Sequence, residues 1–214
     1  MKLAALHYKT QNEPIWHVQL ALVVAIVLQL LLSNQLTVGP KYVIAGFEVL
    51  LVVALALVRP DEKSITFRVR HTMSIVLIAV ISFANISSLV LVIANLLGGN
   101  HGVTGKQLII SGLSIYLTNI IIFGLWYWEL DVANDKPTDF LFPQMTAGES
   151  VTKQKHWSPT FLDYLYTSVT NATAFSPTDT MPLTHRAKLL MTIQSLTALL
   201  TIALVAARAV NILT

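Results

Sequence analysis

No charge interrupts the chain between Glu13 and Lys41, and an apolar stretch of about 20 residues is the length of helix that crosses the hydrocarbon core of a bilayer. Stretches of the same kind recur further along. With 54% hydrophobic and 12% charged residues, against about a quarter charged in soluble domains, the chain cannot cover a water-facing surface. Lipid must serve as part of its solvent. The 214 residues leave room for one domain.

Five segments qualify as spans. The first, 16–33, is followed by a turn whose Gly39-Pro40 breaks the helix. Lys2 and Lys9 precede it in the manner of a secretory signal, but without a small-x-small cleavage pattern it reads as a retained helix. The second, 42–58, is uncharged except for Glu48 and ends at Arg59, Pro60 and Asp61. The third, 73–97, stops at Gly98-Gly99-Asn100, and the fourth, 108–128, ends in Trp126-Tyr127-Trp128, which reads as an interfacial aromatic belt. Residues 129–155 are polar and acidic, an extramembrane loop. The last span covers 187–213.

Between that loop and the last span, Ser158-Pro159 offers an N-cap followed by proline at the first helical position. Residues 160–170 can form about three turns, which reach roughly half way through a 30 Å core. The stretch after them, 171–182, reads as irregular. Non-helical backbone at membrane depth is tolerated only where protein buries it or a water-filled cavity wets it, so a re-entrant element beside a pore or cavity is expected.

The run SVTNATAFSPTDTMPLTHRAKLLM resembles the pore module of the potassium-channel superfamily, in which two helices flank a pore helix and a selectivity filter. Thr173 matches the last pore-helix threonine, and Asp179, Pro182 and Thr184 match the residues after the filter. The resemblance implies a three-helix membrane region at 1–106 and a pore module at 107–214. Within the module the outer helix is 108–128, the turret 129–157, the pore helix 158–171, the filter-like loop 172–182 and the inner helix 184–213. It implies an all-α integral membrane protein of about five transmembrane helices plus one re-entrant pore helix and loop, assembled as a tetramer in a cell membrane and passing a monovalent cation.

One departure matters. Carbonyl-lined filters use glycines at positive φ so that successive carbonyls face the ion, but Ala174, Phe175, Ser176, Pro177 and Thr178 stand here, and Pro177 fixes φ near −65°. Potassium selectivity is therefore not carried over. The remaining pore candidates are the polar groups of Thr170, Asn171, Thr173, Ser176 and Thr178, with Asp179 at the mouth, whose ring of carboxylates would favour cations. The alternative role for Asp179 is to cap the next helix or to pair with Arg186. The first three spans carry no repeated Arg or Lys, so a conventional voltage sensor is not expected.

Glu48 is the one carboxylate within a span and Arg208 a cation at similar depth on the last one; the two are candidates for an intramembrane ion pair. Asn85, Asn95, Asn119 and Ser82 are expected to bond between helices. There is no Cys, which removes disulfides and thiolate chemistry. No motif suggests catalysis, a metal or a cofactor, and basic residues lie at segment ends rather than in a patch fit for nucleic acid. Orientation is contested: the acidic loop looks like an external turret, whereas Lys2, Lys9, Arg59, Lys63, Arg68 and Arg70 lie on that same face, against the positive-inside rule. A non-conducting membrane scaffold or sensor is the competing reading, since Phe175 could seal an axis.

Overall fold

A computed structural model describes residues 16–57, 65–97, 103–132, 139–147, 157–174 and 179–213. Among them lie α1 (Trp16–Leu30), a 3-10 turn (Asn34–Leu36), α2 (Lys41–Leu57), α3 (Ile65–Leu97), α4 (Gly105–Val132), α5 (Pro143–Thr146), α6 (Phe161–Thr173) and α7 (His185–Leu213). Two short strands, β1 (Phe140–Leu141) and β2 (Met181–Pro182), pair antiparallel.

Three helices are long and apolar enough to cross a membrane: His71–Leu96 within α3, Gly105–Asp131 within α4 and His185–Val210 within α7. The helices α1 and α2 are apolar but run for 15 and 17 residues, or about 23 and 26 Å at 1.5 Å per residue. The break between them falls where it was expected. Gly39 takes φ 77°, a left-handed conformation open to glycine, and the Pro40 carbonyl then accepts the first amides of α2, from Val43 at 2.9 Å and Ile44 at 3.3 Å.

The helix α4 is the axle of the fold. On one side it packs against α1 and α3, on the other against α6 and α7, while α2 packs on α1 and α3. Apolar stripes set these contacts. Val18, Leu22 and Ala25 of α1 are buried with Ala45 and Val52 of α2, Leu77 and Ile81 of α3, and Ile122 and Leu125 of α4. Interhelical hydrogen bonds reinforce them. Asn85 Nδ2 donates to the Ile115 carbonyl at 3.3 Å, and Trp126 Nε1 donates to Ser82 Oγ at 3.0 Å. Asn95 instead bonds back to Leu91 in its own helix.

Several boundaries differ from the sequence reading: α1 ends at Leu30 rather than 33, α3 starts at Ile65 rather than 73 and α4 at Gly105 rather than 108, and two further ones bear on the site. The helix α4 continues through Glu129 and Asp131 to Val132, so the supposed aromatic belt lies within the helix and Tyr127 is fully buried. The start of α6 is Phe161 rather than 158, because Thr160 is the N-cap of a capping box: its hydroxyl side receives the N3 amide while Asp163 Oδ2 accepts the Thr160 amide at 2.7 Å. The helix also runs to Thr173, which makes Asn171 helical.

Candidate functional site

The short helix α6 lies against α4 and α7. At its N-terminal end Tyr164 Oη donates to Asp131 Oδ2 at 2.7 Å, at the far end of α4. One turn further, Ser168 Oγ donates to the Ile120 carbonyl at 2.6 Å, and Ala172 is buried with Ile120 and Ala198. A helix that begins beside Asp131 thus reaches the middle of α4. Its 13 residues span about 20 Å, less than the core of a bilayer.

The chain then returns. Residues 181–182 pair with 140–141, and Leu183 N donates to the Asp139 carbonyl at 2.8 Å. Asp139 holds this return in place. Its Oδ1 accepts from Thr184 Oγ1 at 2.6 Å and its Oδ2 lies 2.6 Å from Arg186 Nε, while its own amide donates to Asp131 Oδ1. Thr184 Oγ1 also accepts the Ala187 amide at 3.3 Å, capping α7. Phe140, Phe142, Tyr127 and Tyr164 stack around this clasp, excluding water from two buried carboxylates.

At depth, one polar network ties α4, α6 and α7 together. Gln194, with no exposed surface, is its hub. Its Oε1 accepts from Tyr127 Oη at 2.5 Å and Asn171 Nδ2 at 2.8 Å, and its Nε2 donates to Ser168 O at 2.9 Å and Ser168 Oγ at 2.6 Å. Asn171 Nδ2 also donates to the Met191 carbonyl at 3.0 Å, and Ser195 Oγ donates to Asn171 Oδ1 at 3.0 Å. Asn119 Nδ2 reaches the Gln194 carbonyl at 3.4 Å. Every member finds a partner, as a buried polar cluster requires.

The pore candidates separate on this frame. Asn171 faces the core of its own chain, in the network. Thr170 is buried and its hydroxyl bonds back to the Tyr166 and Thr167 carbonyls. Neither presents a group to an open face. Thr173, whose hydroxyl donates to the Val169 carbonyl, Ala174 and Asp179 are exposed. Phe175, Ser176, Pro177 and Thr178 lie outside the described residues. Arg186 pairs with Asp139, not with Asp179. Along α6 the exposed positions Leu162, Tyr166, Val169 and Thr173 form a stripe opposite the buried one, and α7 exposes Leu189, Ile193, Leu196 and Leu200.

The pairing of Glu48 with Arg208 is not found. Glu48, on the buried stripe of α2 with Ala45 and Val52 and itself without exposed surface, meets Gln29 of α1, whose carboxamide can donate to Oε1 at 3.2 Å and Oε2 at 2.8 Å. Arg208 lies instead in a crevice among α3, α4 and α7. Equal depth says nothing about adjacency, and α2 and α7 pack on different neighbours. The ion pairs among the described residues are Arg186 with Asp139 and His71 with Glu129, the latter joining α3 to α4 at 2.7 Å. No group of three His, Asp or Glu side chains converges as metal ligands among them.

The sequence reading missed Gln194, Ser168, Tyr127 and Asp139. A signal for the first existed: Gln194 is the one carboxamide between Lys188 and Arg208. Compared with known protein families, curated proteins and solved structures, the chain matches no family model, no curated protein and no solved structure.

Proposed function

We infer that the chain is one subunit of a small multi-pass membrane ion channel, of potassium-channel-like architecture and weakly selective or non-potassium-selective for cations. In this reading α1 and α2 join α3, α4 and α7 as five spans, α6 is a re-entrant pore helix, and four copies surround an axis in a cell membrane, with a monovalent cation passing between them. The observation that carries it is the short helix α6, which descends from the end of α4 to its middle, is fixed there by the Gln194 network, and is followed by a return to β1. A helix too short to span, held between two long apolar ones, is the arrangement a pore loop needs.

Further support comes from what α6 leaves open. Its stripe Leu162, Tyr166, Val169 and Thr173 is exposed among the described residues, and neighbouring copies would cover it. The end of the stripe and Asp179 would then approach the axis, where the carboxylates and the C-terminal dipole of α6 favour cations. The competing reading is a non-conducting scaffold or sensor, favoured by the filter-like loop 172–182, which has no glycine and carries Phe175. Reconstitution in liposomes with potassium, sodium and chloride gradients separates the two. Cation flux without chloride flux supports the channel; intact oligomers that pass no cation under any gradient refute it.

A further inference from the structure

Arg208 sits near the C-terminal end of α7, at the end of the bundle away from the Asp139 clasp. It closes a narrow crevice floored by Leu89 and Leu96 of α3, Leu108 of α4, and Leu204 and Val205 of α7. Gly112 of α4 shapes this crevice, since a Cβ there would collide with the Val205 side chain. The Nε of Arg208 is buried and has no hydrogen-bond partner, and neither ion pair among the described residues involves it. A buried N–H without a partner is costly, and a guanidinium is built to meet two oxygens of one anion.

We propose that one anionic phospholipid binds over the mouth of this crevice, with its headgroup phosphate on Arg208 and an acyl chain against the exposed apolar side chains beside it, such as Leu113 of α4 and Ile202 of α7. Leu96 and Leu108 lie near the end of α3 and the start of α4, so in a bilayer Arg208 stands close to headgroup depth. An apolar surface beside a cation that lines the crevice matches an amphiphile with an anionic head. Turning the guanidinium toward that mouth would give Nε the acceptor it lacks. The inference rests on the chain spanning a membrane and not on conduction.

The test uses the full chain, purified in detergent, with phosphatidylglycerol, phosphatidylcholine or glycerol phosphate added, and counts bound lipid by native mass spectrometry. Wild type is expected to take up phosphatidylglycerol about fivefold better than phosphatidylcholine, the effect of one basic residue at a membrane surface. Arg208→Gln should erase that preference and Arg208→Lys should keep part of it. A photoactivatable phosphatidylglycerol should label the wild-type crevice, which decides the matter even if the variants fail to fold. Equal uptake of the two lipids, a preference that survives Arg208→Gln, labelling confined to other helices, or glycerol phosphate binding as well as the lipid would each overturn the proposal. A change in the number of copies per particle in Arg208→Gln with the lipid preference intact would assign the crevice to a second copy instead.

Discussion

Replacing Gln194 by leucine removes the hub of the α4–α6–α7 network while roughly preserving volume. The side chain makes four hydrogen bonds, with Tyr127, Asn171 and twice with Ser168. Interhelical bonds in membranes average about 0.6 kcal/mol each, which puts the loss near 2 kcal/mol. The remaining partners decide whether more is lost. Ser168 Oγ keeps the Ile120 carbonyl and Asn171 Nδ2 keeps the Met191 carbonyl, but the Tyr127 proton is left with no acceptor among the described residues, and an orphaned buried donor costs about 1–3 kcal/mol. The expected destabilisation is therefore about 3–5 kcal/mol, read as the free energy of reversible unfolding in mixed micelles. Tyr127→Phe removes the orphan in advance, so the double variant should be less destabilised than the two singles together by about 1 kcal/mol. A Gln194→Leu protein within about 0.5 kcal/mol of wild type, or strict additivity with Tyr127→Phe, would refute the network as a structural tie.

The clasp at Asp139 makes a second expectation: Arg186→Gln leaves a 1% exposed carboxylate facing a lost partner that was itself 47% exposed, so about 1–2 kcal/mol should be lost in the same unfolding assay. Because Glu48 and Arg208 do not touch, Glu48→Gln and Arg208→Gln should add within about 0.5 kcal/mol; a larger coupling would restore the ion pair. Asp179→Asn should shift the reversal potential in an asymmetric salt gradient away from cation preference without dissociating the oligomer, and an unchanged potential would remove Asp179 from selectivity.

A chain of long apolar runs separated by strong breaks such as Gly39-Pro40 makes helices easy to read, and all the long helices found here lie on segments recognisable in that way. It makes their ends and partners hard to read. The end of α4 was obscured because Glu129 and Asp131 look like loop residues until His71, Tyr164 and the Asp139 amide supply their partners. The start of α6 was legible in Thr160 and Asp163, but Ser158-Pro159 offered a competing cap two residues earlier. Glu48 stood out by charge, whereas its partner Gln29 is one amide in an apolar helix and acquires meaning only when the buried stripes of α1 and α2 are brought face to face. Polar residues in apolar runs carry no periodic signal of their own, so the Gln194 network was visible as residue types and not as a site.

In the proposed assembly α4, α6 and α7 of several copies surround one axis, with Thr173 and Asp179 near it. A cryo-electron microscopy map of the protein in lipid nanodiscs tests it directly. The expected map is a fourfold assembly in which the residues between Thr173 and Asp179 from each copy converge on a hydrated path; a monomer, or an assembly in which that segment faces lipid, would contradict the channel reading.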